Sequence, residues 1–186
     1  MLKRILLILL LISAFSLDAI SQTYAGGGGG VVTPIGALSN TNQMSYRYHV
    51  QIESRRFCNL WYGLRIDYID FRKKDDLDKN IDYYENAVYI SPELRYNFFS
   101  ENCFDNTVLP YAQMMLTISS IGNTDQSGRM GLGGAIGGGL LFPFRLWDAC
   151  WGVDLNALYS VPNFIMSDDR YSMQSLDVSL SLSVTI

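Results

Sequence analysis

The last stretch of the chain, SLDVSLSLSVTI (175–186), alternates without a fault. Leu176, Val178, Leu180, Leu182, Val184 and Ile186 share one phase, and Ser175, Asp177, Ser179, Ser181, Ser183 and Thr185 share the other. A period of two is the signature of a β-strand with one apolar and one polar face. The stretch is twice the usual strand length of about five or six residues. It suits a tilted strand crossing a bilayer, which takes roughly 9–11 residues. It also runs to the last residue without a polar tail, whereas the ends of soluble domains commonly fray. The expectation is the closing strand of a barrel.

The same period recurs upstream. Residues 45–54 set Tyr46, Tyr48, Val50 and Ile52 against Arg47, His49, Gln51 and Glu53. Residues 60–69 set Leu60, Tyr62, Leu64, Ile66 and Tyr68 against Trp61, Gly63, Arg65, Asp67 and Ile69. Residues 84–99, 108–121, 132–146 and 151–161 continue the pattern, with polar or glycine-containing loops between them. Near the start, five consecutive glycines (26–30) run into Val31 and Val32. β-branched residues directly after them point to a glycine-rich first strand over 24–33. Residues 34–43 and 123–129 read as loops. The total is eight strands joined as consecutive hairpins. The expected fold is all-β, an eight-stranded antiparallel up-and-down transmembrane β-barrel. Pro92 and Pro110 each remove a ladder donor within a strand, and a bulge is expected at each.

Ahead of the strands stands MLKRILLILLLISAFSLDAIS. Lys3 and Arg4 precede a short apolar run and then small residues, the layout of a secretory signal peptide. The expected division is a signal peptide over 1–21 and a barrel domain over 22–186. Formal net charge is −4, so no basic footprint suggests nucleic acid.

Alternation alone does not say which phase faces inward. Three features choose the membrane arrangement, with the apolar phase in lipid. The apolar phase of the second, third, fourth and eighth strands carries no charge, while the other phase holds charges of both signs. Aromatic residues such as Trp61, Tyr68, Tyr84, Phe98, Phe144, Trp151 and Tyr159 gather at strand ends, as in interfacial girdles. An export signal precedes a chain that ends on a strand.

The segments GGGGGVVTPIGALSN, SPELRYNFF, VLPYAQMML and GLGGAIGGGLLFPF, with the closing LDVSLSLSVTI, resemble the small outer-membrane β-barrel family that includes the OmpA-type barrel and the OmpX-like proteins. The resemblance spans the mature chain and implies a location in the Gram-negative outer membrane. It also implies two partners, outer-membrane lipid and the barrel-assembly machinery engaged through the C-terminal strand. That family's assembly signal usually ends in an aromatic residue, where this chain has Ile186. No peptidoglycan-binding segment follows the barrel, so an anchoring role is not implied.

Residues with catalytic or ligand chemistry are few. His49 is the single histidine. It lies on the polar phase and reads as a lumen histidine hydrogen-bonded to its neighbours. Barrel hydrolases that act on lipid carry an outward serine and histidine, and His49 has the wrong phase for that. The glycines over 131–139 lack the Lys-Ser/Thr of a phosphate loop and read as relief of crowding in a narrow lumen. Asp75, Asp76, Asp78, Asp168 and Asp169 lack an EF-hand pattern. Cys58, Cys103 and Cys150 fall at turns on one rim, as a disulfide or free thiols on the periplasmic side. Their spacing suits no metal, and no cofactor is expected.

The strongest lead is the polar phase itself. Arg47, His49, Glu53, Arg65, Asp67, Glu93, Arg95, Asp154 and Asp177 are expected to project into the lumen as a polar network. An eight-stranded barrel is just wide enough to be filled by side chains. Glu53, Arg65, Glu93 and Arg95 are expected to form one mixed-sign cluster that closes it. The functional expectation is a non-enzymatic outer-membrane barrel with a structural or surface-interaction role. The alternatives are a small pore or export component, and a soluble periplasmic lipocalin-like barrel binding a small apolar ligand.

Overall fold

In the computed structural model, the alternating stretches are the staves of one closed cylinder. The structure describes residues 22–55, 59–76, 83–99, 108–123, 126–165 and 173–186. The strands are β1 (Thr23–Ile35), β2 (Asn42–Arg55), β3 (Leu60–Lys73), β4 (Tyr84–Asn97), β5 (Leu109–Asn123), β6 (Gln126–Leu146), β7 (Ala149–Ile165) and β8 (Gln174–Thr185). Each pairs antiparallel with the next. β8 pairs back on β1 from Tyr24↔Thr185 to Ile35↔Gln174, so no edge remains. The expected signal segment over 1–21 lies outside the described residues. The end of the barrel where β1 starts and β8 finishes is called the near end, and the opposite one the far end.

The distribution of side chains is that of a protein dissolved in lipid. Tyr48, Val50, Ile66, Ile90, Met114, Ile118, Ile136 and Leu180 all face outward and are exposed. The nine charged and histidine side chains expected in the lumen are each 5% exposed or less. Such an inverted pattern would be costly in water, where each large apolar side chain left exposed forfeits about 1.5–3 kcal/mol. In a bilayer it is the stable arrangement. The fold is a transmembrane barrel, and a lipocalin-like apolar interior is ruled out.

Closure depends on glycine at two seams. A Cβ on Gly28 would sit inside contact distance of the Leu180 carbonyl oxygen on β8. A Cβ on Gly137 would strike the Ala157 carbonyl on β7 in the same way. At both seams the place of the missing side chain is taken by the neighbouring strand's carbonyl, so these inward glycines serve strand pairing. The expected relief of lumen crowding applies as well at Gly139, where a Cβ would lie 2.5 Å from the Tyr111 hydroxyl oxygen, and at Gly63. There a Cβ would lie 2.8 Å from Glu93 Oε1 and 3.0 Å from Glu53 Cγ.

Several boundaries depart from the sequence reading. The expected loop at 123–129 is partly strand, because β6 starts at Gln126. Within the expected loop at 34–43, residues Gly36–Asn40 form a 3₁₀ turn. No bulge occurs at Pro92 or Pro110. Pro92 pairs with Leu64 and Pro110 with Leu140 in unbroken register, and the Pro110 carbonyl accepts from the Phe98 amide at 3.0 Å. The register shifts lie toward the far end, at Gln43/Tyr46, Tyr84/Asn86, Ile121/Asn123 and Leu132/Gly134. A short turn joins β6 to β7 at the near end. Trp147 and Asp148 hold positive φ there, as two-residue hairpin turns require. Arg145 and Asp148 brace it with a 2.6 Å ion pair.

Candidate functional site: the lumen

Strand period places the inward side chains, and strand register then sorts them into layers. At the far end the lining turns apolar. Val32, Ile69, Phe71, Ala87, Tyr89 and Ile121 pack with Leu38 from the 3₁₀ turn and with Met173. Leu38 is buried because the turn bends the chain over the barrel mouth.

Below this lid lies a charge-balanced layer of two arginines and two aspartates. Asp67 Oδ1 accepts from Arg47 Nε at 2.7 Å and from Arg65 Nε at 2.8 Å. Arg47 Nη1 donates to Asp177 Oδ2 at 2.6 Å, and Ser160 Oγ donates to the same oxygen at 2.7 Å. β2, β3, β7 and β8 are thereby tied across the lumen.

The next layer is centred on Arg95. Its Nη1 donates to Asp154 Oδ2 at 2.9 Å and to Glu53 Oε2 at 3.3 Å, and its Nε to Asn97 Oδ1 at 3.0 Å. The Tyr111 hydroxyl donates to Asp154 Oδ1 at 2.5 Å. Asn156 Nδ2 donates to Tyr111 Oη and to Gln113 Oε1, and Gln113 Nε2 donates to Glu93 Oε2 at 2.6 Å. Buried charges survive when paired and hydrogen-bonded. Arg47, Arg65, Asp67, Asp177, Arg95, Glu53 and Asp154 meet that condition through several strands at once, whereas Glu93 is held by the neutral Gln113 amide.

The near end closes on aromatic and aliphatic side chains. Tyr24 and Trp61 pack at a tilt of 53° with ring centroids 5.3 Å apart, and Leu109, Tyr111 and Leu141 pack together. The void among Tyr24, Glu53, Trp61, Arg95, Asn97, Leu141 and Ser183 measures about 10 Å³, barely the space of one water.

The sequence reading placed Glu53, Arg65, Glu93 and Arg95 in one cluster. The structure divides them. Arg65 belongs to the Asp67 layer, while Arg95 binds Glu53 and Glu93 binds Gln113. His49 faces the lumen and stands opposite Asp67 in register. It is not hydrogen-bonded to its neighbours as expected, since neither ring nitrogen has a partner among the described residues. Tyr111, Gln113, Asn156 and Ser160 are network members that the sequence reading left out. All four lie on the inward phase, and that phase was the available signal. Cys150, at the near rim, is disulfide-bonded, and its sulfur accepts from the Tyr24 hydroxyl at 2.9 Å. Cys58 and Cys103 lie outside the described residues, as do Asp78, Asp168 and Asp169.

No family model matches the chain, and no curated protein matches its sequence. Among solved structures the chain is similar to Neisserial surface protein A (NspA), at 13% identity and a TM-score of 0.62, covering 88% of this chain and 97% of that one. It is also similar to Ail, the attachment invasion locus protein of Yersinia pestis. In complex with the heparin analogue sucrose octasulfate, Ail shows 12% identity, a TM-score of 0.49, and coverage of 89% of this chain and 97% of that one. At such identity the likeness to NspA is a likeness of fold.

Proposed function

We propose that this chain is a non-enzymatic outer-membrane barrel that acts through its surface and its presence in the membrane, not through its interior. The observation that carries this reading is the sealed lumen. Two paired-charge layers stand between an apolar lid at the far end and an aromatic one at the near end. A conduit needs a continuous polar bore, and side chains from six strands cross this one. A role as a small pore or export component therefore has no support in the geometry.

The outer-membrane location rests on the outward apolar belt, on the fold shared with NspA, a protein named for the surface, and on the signal segment read over 1–21. In this reading the near end is periplasmic and the far end faces the cell exterior. The closing β8 strand is the part handed to the barrel-assembly machinery. The test is an epitope inserted after Asp76, in the turn beyond β3. It should be detected on intact cells, in a protein that fractionates with the outer membrane and shifts its gel mobility on boiling. Detection only after the outer membrane is permeabilised would contradict the orientation. Recovery in the soluble periplasmic fraction would contradict the location.

A further inference from the structure

Three hydrogen-bond donors buried toward the near end have no acceptor among the described residues. They are Trp61 Nε1, Arg95 Nη2 and Asn97 Nδ2, and each belongs to a residue 3% exposed or less. Trp61 on β3 stands opposite Arg95 on β4 in register, and Asn97 lies two residues further along β4. All three side chains line the same void of about 10 Å³, together with Glu53 and Ser183. Their other polar atoms are engaged. Arg95 Nε donates to Asn97 Oδ1 and Arg95 Nη1 to Asp154, and an indole ring has no polar atom besides its N–H. A buried indole N–H usually finds a partner, and three unmet buried donors around one void call for an acceptor.

We infer that this void is a binding site for one water molecule that joins Trp61 of the near-end lid to the Arg95 layer, an inference that rests on the sealed lumen above. The lining selects the occupant. Three N–H donors, one of them on a guanidinium, turn away a cation. Glu53 lines the same void, and with Asp154 it already outnumbers Arg95 in charge, which turns away an anion. A neutral molecule that both accepts and donates suits both sides. It accepts from Trp61 Nε1 and from one of the other two donors, and it donates to the Glu53 carboxylate. Glu53 Oε1 has room for that bond, since its contact with Arg95 Nη1 is a long 3.5 Å. Size narrows the choice to water. The void is at the lower limit for holding a single water molecule and admits nothing larger. Its polar partners number within the two to four that a buried water ordinarily has.

The test is nuclear magnetic resonance on the full barrel in lipid nanodiscs with isotope-labelled tryptophan. Trp61, Trp147 and Trp151 give three indole N–H signals, assigned from Trp147→Phe and Trp151→Phe. Trp147 is 85% exposed and serves as the solvent reference. Trp151 Nε1 donates to the Leu146 carbonyl at 3.1 Å and serves as the protein-bonded one. The Trp61 N–H should exchange with deuterium far more slowly than that of Trp147. It should also show cross-peaks to water of opposite sign in NOE and ROE spectra, the mark of a held water as against proton exchange. Ser183→Thr adds a methyl to the lining and should abolish those cross-peaks in a barrel that still shifts its mobility on boiling. Slow exchange without a water cross-peak in the wild-type protein would overturn the water site and leave the sealed lumen standing. Exchange as fast as at Trp147 would overturn both. A shift of the Trp61 signal on adding chloride would mean that the void takes an anion, and would overturn the water. Cross-peaks that persist in folded Ser183→Thr would place the water elsewhere and overturn the assignment as well.

Discussion

The Arg95 guanidinium carbon lies 3.7 Å from the centre of the Tyr111 ring, and both side chains hold the same carboxylate, that of Asp154. One residue comes from β4 and the other from β5, and Asp154 comes from β7. The arrangement combines a cation over an aromatic face with two charge-assisted hydrogen bonds. It closes the barrel interior beside Gly137 and Gly139 of the adjoining β6, which bring no side chain into the lumen.

Removing Arg95 should therefore cost more than removing Arg65. Arg95→Met leaves Glu53 and Asp154 without the cation that pairs both of them. A buried charge stripped of its partner costs about 3–5 kcal/mol. Arg65→Met leaves Asp67 with Arg47, so its loss should be smaller. Urea unfolding in lipid vesicles measures both. Equal losses would show that the two layers are not separate.

Tyr111→Phe keeps the ring over Arg95 and removes the hydroxyl. Asp154 Oδ1 then loses a donor, and Asn156 loses an acceptor. The expected loss is about 1–3 kcal/mol, the range for a buried polar group left unsatisfied. The same unfolding measurement checks it.

His49→Leu should be neutral or stabilising. Neither ring nitrogen has a partner to lose among the described residues, and a buried polar group without a hydrogen bond is a net cost. A destabilisation beyond about 1 kcal/mol would show that the imidazole makes a bond that matters.

Gly28→Val should prevent closure, because its Cβ would collide with the Leu180 carbonyl across the β1–β8 seam. Gly29→Val, one residue along and facing outward, meets the Arg47 carbonyl at an ordinary 3.4 Å and should still fold. The fraction migrating as folded barrel before boiling reports each outcome. On β8, Leu180→Arg should cost about 2–4 kcal/mol by placing a charge in mid-bilayer, whereas Ser181→Ala should be nearly silent.

Strand number, order and facing were legible in the sequence because side-chain direction follows a period of two, and the unbroken phase of β8 shows it most plainly. Depth along the barrel was not legible. Ile69, Ala87 and Leu141 sit on the inward phase, yet they form the lids instead of interrupting the polar layers. Phase reports direction and carries no information on height. Partner choice failed for a related reason. Arg65 turns to Asp67, two residues along its own strand, and period alone does not distinguish that neighbour from Glu53 or Glu93 on adjacent strands. Pro92 and Pro110 needed no bulge, because losing one ladder donor left the register intact.

The central claim is that the lumen is closed, and the most direct test is single-channel recording of the unmutated barrel in a planar lipid bilayer. With apolar lids at both ends and paired charges between them, the account predicts a silent baseline across the voltage range while insertion is confirmed independently. Steady, well-resolved conductance from the wild-type protein would contradict it and make the barrel a pore.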